Sequence, residues 1–214
     1  MYAMPIRGYY AIVDAAPAAL ADTETLVRRA QALLAAGPCC LQLRAKGADA
    51  AAMRDAARAL LPVCRAAGVP FCVNDRLDVA LAVGADVVHL GQDDLPLADA
   101  RAALRAAGRS ITVGISTHNL AQALASEGAD YIGFGPVFTT RSKENPDPTV
   151  GLAALAQVAR AVPVPVVAIG GITLERIAAV AEAGAAAAAV IAAVDQAPDP
   201  TAAGRTIAAA FRRP

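Results

Sequence analysis

The sequence lacks net charge. Its 19 basic residues balance 19 acidic ones over 214 residues, and only 18% of the residues are charged. Nucleic acids and acidic membranes usually bind a strongly basic protein face. We therefore expect neither a nucleic-acid partner nor a membrane partner. The hydrophobic residues, 57% of the chain, can fill one large core.

The chain also lacks an obvious signal or membrane-spanning segment. Its first ten residues do not show the charged-then-apolar pattern of a signal peptide. The longest apolar stretch, near Ala185 to Val194, is far shorter than the roughly 20 residues that span a bilayer. The four cysteines, at positions 39, 40, 64 and 72, form no C-x-x-C pair. This pattern predicts buried reduced thiols in a cytoplasmic protein instead of a zinc site or a disulfide framework.

One pattern recurs along the chain: an Ala-, Leu- and Arg-rich helical stretch, a glycine, and then a short apolar run. Glycine favours a helix end because it adopts the left-handed backbone conformation without side-chain strain. The predicted helix-ending glycines are Gly37, Gly68, Gly84, Gly108, Gly128 and Gly184. The predicted strands are Tyr9–Val13, Cys40–Arg44, Phe71–Asn74, Val87–Leu90, Ile111–Ile115, Tyr131–Phe134, Val166–Ile169 and Ala187–Ile191.

Eight strands that alternate with helices predict a parallel sheet. The strand runs are continuously apolar, as expected for strands that are buried on both faces. We therefore predict a single α/β domain over residues 1–214, folded as a closed (β/α)8 (TIM) barrel. An open doubly wound sheet is the alternative.

Polar residues collect where the predicted strands end, which is where such barrels carry their active sites. Gln42, Arg44 and Lys46 are spaced two apart, so their side chains should point the same way. Further along the chain, the polar residues at strand ends include Asn74, Asp75, Asp94, Ser116, Thr140, Ser142 and Lys143.

Lysine is scarce, since only two of the 19 basic residues are lysines. Both of them, Lys46 and Lys143, lie in these segments after strands. An ammonium group is a compact charge that can meet a phosphate oxygen where a planar guanidinium does not fit. The two lysines are therefore candidate phosphate contacts, with a chance placement as the alternative.

Asp75 and Asp94 follow neighbouring strands, and together they suggest a magnesium site. Proteins commonly hold Mg²⁺ with one or two carboxylates while phosphate oxygens and water complete the shell. For either aspartate alone, the alternative is a helix N-cap.

Two further features have two interpretations each, and one histidine has a single one. Gly170-Gly171 and the segment 187–192 occupy the place where barrels often bind phosphate, although a tight turn would also explain the glycines. His118 fits a general base and a helix-capping turn equally well. His89 lies inside a strand run and is interpreted as a core residue.

Six motifs taken together resemble the thiamine-phosphate synthase family over nearly the whole chain. Each is weak alone, but their order and their positions at strand ends are specific. They are QLRAK (42–46), VNDRLDVAL (73–81), GADVVHLGQDDLP (84–96), GISTHN (114–119), GFGPVFTTRSKENPDPTVGL (133–152) and VVAIGGI (166–172).

The resemblance implies a Mg²⁺-dependent transferase. Such an enzyme joins a hydroxymethylpyrimidine diphosphate to a thiazole phosphate and gives thiamine phosphate and pyrophosphate. The implied mechanism is dissociative: diphosphate leaves first, and the thiazole nitrogen then captures the pyrimidine carbocation.

The resemblance also implies residue roles. Asp75 and Asp94 correspond to the metal ligands. The pyrimidine-diphosphate contacts correspond to Gln42, Arg44, Lys46, Asn74, Ser116 and Lys143, of which Arg44, Lys46, Ser116 and Lys143 are the implied catalytic residues. The thiazole-phosphate contacts correspond to Thr140, Ser142 and Gly171, together with backbone groups of Ile191 and Ala192.

The chain departs from the family pattern at Thr139, where proline is usual, and at Ser142, which is often threonine. Many members carry serine at the position of Ala192. The loss of a hydrogen bond to a charged phosphate costs roughly 1.5–3 kcal/mol, so weaker thiazole-phosphate binding is expected.

Two other functions stay open. A thiazole tautomerase on the same barrel would use His118, although it would not need both aspartates and the QLRAK motif. A non-catalytic phosphate-binding barrel would not need to keep Asp75, Asp94 and Lys143 together. Homo-oligomerisation is also left open.

Overall fold

The computed structural model describes residues 6–140 and 148–212. Eight parallel strands close into a barrel in chain order, and β1 pairs with β8. The strands are β1 Gly8–Asp14, β2 Cys40–Arg44, β3 Phe71–Asn74, β4 Val87–Leu90, β5 Thr112–Thr117, β6 Tyr131–Phe134, β7 Val166–Ile169 and β8 Ala187–Val190. The predicted (β/α)8 barrel is confirmed, and the open sheet is excluded. The outer limits of the domain, at residues 1 and 214, stay a prediction.

A helix follows each strand, and two follow β8. They are α1 Thr23–Leu34, α2 Ala50–Ala66, α3 Leu77–Val83, α4 Leu97–Ala106, α5 Leu120–Ala125, α6 Gly151–Ala161, α7 Ile177–Glu182, α8 Ala192–Asp195 and α9 Pro200–Ala210. All six predicted helix-ending glycines have positive φ; Gly84, for example, caps α3 at φ 72°. Among the described residues, none of the helices is both long enough and apolar enough to cross a membrane.

The strand predictions differ from the structure mainly at β5. The apolar run predicted a strand over Ile111–Ile115, whereas β5 spans Thr112–Thr117. The strand extends because Ser116 and Thr117 continue the ladder with β6, opposite Gly133 and Phe134. Hydropathy does not detect this extension because both added residues are polar. As a result, Ser116 belongs to the rigid barrel wall.

Side chains along each strand alternate between two cores. On β1, Tyr9 and Ala11 pack in the layer between strands and helices. Tyr10 and Ile12 pack inside the barrel. Because both layers are apolar, each strand reads as one continuous apolar run.

The barrel interior requires glycine at position 114. A Cβ atom built on Gly114 would lie 2.1 Å from Cζ of Tyr131, whose ring is completely buried. A Cβ atom on Gly133 would meet the His89 ring at 3.2 Å, a much smaller overlap. Neither glycine has positive φ, so space alone distinguishes the two positions.

Gly114→Ala should therefore lower the free energy of unfolding by about 3 kcal/mol, the upper end of the usual cost of overpacking a core. Urea denaturation followed by circular dichroism would measure it. Gly133→Ala is the matched control and should cost clearly less. Equal losses in the two variants would contradict this account of the interior.

Candidate active site

A cavity of about 1380 Å³ opens at the C-terminal ends of the strands. Eleven of the candidate residues from the sequence line it: Gln42, Arg44, Lys46, Asn74, Asp75, Asp94, Ser116, Thr140, Gly171, Ile191 and Ala192. The other two, Ser142 and Lys143, lie outside the described residues. Segments far apart in the chain thus meet at one site, although this proximity does not by itself assign their roles.

Asp75 lies at the end of β3 in an unusual backbone conformation. Among the described non-glycine residues, it alone has positive φ, at 63°. Its N–H donates to the carbonyl oxygen of His89 at 2.7 Å, which ties the end of β3 to β4. The N-cap of α3 is Arg76, and that helix has no side-chain cap. The capping alternative for Asp75 is therefore contradicted.

Asp94 approaches Asp75 from the loop after β4. Its Oδ2 accepts a hydrogen bond from the Gly91 N–H at 2.7 Å. Burial and the neighbouring Asp94 carboxyl raise the pKa of Asp75 to about 6, although Lys46 acts in the opposite direction. The Lys46 ammonium is 3.5 Å from Asp75 Oδ2. Two carboxyl groups held this close repel each other when both are ionised, and a cation between them would relieve the repulsion.

The donor set fits a hard cation that also binds substrate oxygens. Within residues 6–140 and 148–212, no group of three or more His, Cys, Asp or Glu side chains could hold a metal ion. Asp75 and Asp94 could thus supply only part of a coordination shell. A magnesium ion commonly binds through one or two carboxylates, with phosphate and water completing its shell.

Arg44 is held in place by a residue that the sequence reading missed. Its Nη1 donates to Asp14 Oδ1 at 2.6 Å, and both side chains are largely buried. Arg29 on α1 donates to the backbone oxygen of the same Asp14 at 2.6 Å. Arg29 also forms an ion pair with Asp195 on α8. These contacts connect β1, β2, α1 and α8 behind the cavity.

The floor of the cavity is polar. Gln42, Tyr10, Tyr131, His89 and Ser116 form a hydrogen-bonded chain across the barrel. His89 is half-buried and lines the cavity, so its interpretation as a core residue is corrected. Tyr10 and Tyr131 were predicted as strand residues but not as residues of the site. The sequence signal that could have identified them is the alternation of side chains along a strand, which points every second residue into the barrel.

His118 takes part in holding the loop after β6. Its Nδ1 lies 2.6 Å from the carbonyl oxygen of Gly135, and its backbone N–H donates to Gln122 Oε1. The cap of α5 is Asn119, whose Oδ1 accepts from the Gln122 N–H. The capping turn predicted around His118 is therefore present, while the His118 ring itself lines the cavity.

The ends of β7 and β8 form the opposite side of the cavity. A Cβ atom on Gly171 would lie 2.3 Å from the carbonyl oxygen of Thr139, so the backbone after β6 passes directly over this glycine. Phe138 N–H donates to the carbonyl oxygen of Gly170 at 3.0 Å. Close packing, and not only a tight turn, therefore requires glycine here. Ile191 is the N-cap of α8, which has no side-chain cap.

Carboxylates, basic side chains and a glycine pair that converge on one barrel mouth define an enzyme acting on phosphorylated small molecules. A family model described as thiamine monophosphate synthase matches residues 9–194. The chain belongs to the thiamine monophosphate synthase family. The resemblance and the transferase class predicted from the sequence are thereby confirmed.

Individual relatives agree with this assignment. The thiamine-phosphate synthase of Anaeromyxobacter dehalogenans is 51% identical over 187 residues, or 86% of this chain and 82% of that protein. The one of Roseiflexus castenholzii is 47% identical over 187 residues, or 87% and 82% of the two chains. A solved thiamine phosphate pyrophosphorylase from Pyrococcus furiosus superposes with a TM-score of 0.83 at 32% identity, covering 97% of this chain and 96% of that one.

Asp94→Asn should lower the pKa of Asp75 from about 6 towards 3.8 without reaching it. The substitution removes a like charge, whereas burial, the larger cause, stays. A carboxyl ¹³C NMR titration of metal-free protein would measure the pKa. Asp93→Asn, at an exposed neighbour, is the control and should leave the pKa near 6. An unshifted pKa in Asp94→Asn would contradict the coupling.

The raised pKa of Asp75 also makes the free energy of unfolding depend on pH. Between 3.8 and about 6, the folded protein holds a proton on Asp75 that the unfolded chain has lost. The stability from this group is therefore fully present below 3.8, and it is lost as the pH rises through 6.

Proposed function

We propose that this protein couples hydroxymethylpyrimidine diphosphate to thiazole phosphate in a metal-dependent reaction that yields thiamine phosphate and pyrophosphate. Family membership supports the activity. The observation that carries the proposal is the carboxylate pair of Asp75 and Asp94 in the same cavity as Arg44 and Lys46. That combination matches a diphosphate bound together with a divalent cation.

Asp75 and Asp94 would hold Mg²⁺ jointly with the diphosphate oxygens. Burial and the neighbouring Asp94 carboxyl raise the pKa of Asp75, and a cation between the two carboxylates would relieve both the burial cost and the repulsion of their charges. When bound, the ion would neutralise part of the charge on the departing diphosphate. A tautomerase or a non-catalytic barrel has no comparable use for this pair.

Arg44 and Lys46 would stabilise the charge that develops on the diphosphate. In the dissociative step, the bond between the pyrimidine methylene carbon and the diphosphate oxygen breaks, and its electron pair leaves with the oxygen. Cationic groups that are already in place stabilise this charge without reorganising during the reaction. Arg44 meets this condition because Asp14 fixes its guanidinium. Lys143 would act on the same group by its motif position.

Gln42, Asn74 and Ser116 would hold the pyrimidine diphosphate at the cavity floor. Gln42 and Asn74 are buried at 4% and 7% exposure, so they occupy the deep end of the cavity. A rigid floor fixes the methylene carbon while the diphosphate departs. The nitrogen lone pair of the thiazole then forms the new carbon–nitrogen bond.

The thiazole phosphate would bind on the opposite side of the barrel. In a barrel closed in chain order, β7 and β8 lie across from β3 and β4. Thr140, Gly171 and the backbone N–H groups at Ile191 and Ala192 lie on this side, with Ser142 assigned by its motif position. A helix start such as that of α8 presents unpaired N–H groups to an anion. If the two anionic groups bound at separate places, the pyrimidine methylene carbon and the thiazole nitrogen could meet between them.

The test is a coupling assay with both substrates and Mg²⁺, with and without chelator. We expect thiamine phosphate to form only with metal. The Asp94→Ala variant should form none, and circular dichroism should show that this variant is folded. Asp93→Ala is the matched control and should keep its activity. Equal turnover with chelator would exclude the metal assignment. No product from folded wild-type protein would exclude the activity and direct attention to a tautomerase that uses His118.

Lys143→Ala should slow the chemical step more than it weakens pyrimidine-diphosphate binding. A fixed cation at a developing oxyanion typically contributes a factor of about 10² to 10³. Single-turnover rates measured by rapid quench, compared with the dissociation constant of the substrate, would separate the two effects. An unchanged single-turnover rate would rule out a role at the leaving group.

The cytoplasmic location stays a prediction from the sequence, and homo-oligomerisation stays open.

A further inference from the structure

The polar floor of the cavity is a continuous hydrogen-bonded chain that starts at a glutamine and ends at a serine. Gln42 Nε2 lies 3.1 Å from the Tyr10 hydroxyl, which lies 2.9 Å from the Tyr131 hydroxyl. The Tyr131 hydroxyl lies 3.0 Å from His89 Nδ1. His89 Nε2 lies 2.9 Å from Ser116 Oγ. Five side chains from five different strands thus form one connected unit.

Gln42 sets the direction in which hydrogens are donated along this series of hydrogen bonds. The amide nitrogen of Gln42 can only donate, so the Tyr10 oxygen accepts from it. The Tyr10 hydrogen can then go to the Tyr131 oxygen or to the nearby sulfur of Cys72. Sulfur is a weak acceptor, so the oxygen is preferred.

The direction continues through the two tyrosines. Burial raises the pKa of Tyr10 and of Tyr131 well above the ordinary value, so both hydroxyls keep their hydrogens. Tyr131 accepts from Tyr10 and therefore has its own hydrogen left to donate. It can donate to His89 Nδ1 at 3.0 Å or to the sulfur of Cys72. Sulfur is the weaker acceptor, so the imidazole nitrogen is preferred.

The last hydrogen bond of the series orients the hydroxyl group of Ser116. When Nδ1 accepts, a neutral imidazole carries its hydrogen on Nε2. Nε2–H then donates to Ser116 Oγ, whose own hydrogen must point elsewhere. Among the described residues, His89 is the side chain to which the Ser116 hydroxyl is hydrogen-bonded, and Ser116 lines the cavity.

Two glycines make this arrangement possible. Gly114 leaves room for the Tyr131 ring, and Gly133 leaves room for the His89 ring. The rings of His89 and Tyr131 stack with their centroids 5.5 Å apart. The imidazole is thereby held from its face as well as at both nitrogens, so it has one defined orientation.

We infer that His89 is a positioning residue: its Nδ1 accepts from Tyr131, its Nε2–H donates to Ser116, and the Ser116 hydroxyl hydrogen is thereby directed into the cavity, where it donates to an acceptor atom of the pyrimidine diphosphate. The identity of that ligand rests on the proposed function, whereas the state of His89 does not. The opposite order would place the hydrogen on Nδ1 and make Ser116 donate to His89, which would leave no serine hydrogen for a ligand.

The first test is ¹⁵N NMR of the imidazole groups in the ligand-free protein at neutral pH. The chain has two histidines, so a His118→Gln variant assigns the His89 signals. We expect the Nε2–H tautomer, and Tyr131→Phe should shift the Nδ1 signal because its hydrogen-bond donor is lost. An Nδ1–H tautomer or an imidazolium in the wild-type protein would overturn the inference.

The second test is a double-mutant cycle on kcat/KM for the pyrimidine diphosphate. His89→Leu should lower it about tenfold, the usual scale for one lost hydrogen bond. His89→Gln, which keeps a donor near the Nε2 position, should restore most of this loss. In a Ser116→Ala background, His89→Leu should have no further effect. A full effect in that background, or no rescue by glutamine, would mean that His89 does not act through Ser116.

The two tests separate the inference from the proposed function. If folded wild-type protein formed no thiamine phosphate, the proposed function would fail. The NMR measurement on the free protein would still decide the state of His89.

Discussion

What the cavity can bind is governed first by the repulsion between the carboxyl groups of Asp75 and Asp94 when both are ionised. Folding places both groups at one edge of the cavity, and their proximity and burial raise the pKa of Asp75 to about 6. Such an arrangement costs free energy unless a cation shares the site. Lys46, at 3.5 Å from Asp75, offsets the repulsion only partly. In the proposed function, a metal and an anionic ligand together would complete the charge pattern of the barrel mouth.

Barrel topology then decides where the other groups can act. Because the strands follow one another in chain order, the carboxylates after β3 and β4 face the glycine pair and the start of α8 across the cavity. The interior between these two edges is filled by large side chains on some strands and by small ones on others, such as Tyr131 beside Gly114. The floor is consequently rigid and polar, and the anionic groups of the substrates would bind at its rim.

Sequence reasoning located the strands and the rim residues because each has a local signal. Apolar runs mark the strands, and polar residues mark their ends. Tyr10, His89 and Asp14 were missed or misread because their roles depend on partners that are far away in the sequence; the Asp14–Arg44 contact, for example, spans 30 positions. The β5 end was misplaced because Ser116 and Thr117 are polar although they belong to the ladder. Hydropathy cannot report a hydrogen bond between strands, and it could not decide whether Asp75 caps a helix.

Calorimetric titration of pyrophosphate into the purified protein, with Mg²⁺ and with a chelator, would test whether metal and diphosphate share one site. Pyrophosphate has the anionic group of the proposed substrate but cannot undergo the coupling reaction. We expect clear binding with Mg²⁺ and much weaker binding with chelator, because the carboxylates then repel the anion. Equal affinity under both conditions would contradict the claim that Asp75 and Asp94 complete a joint metal and diphosphate site.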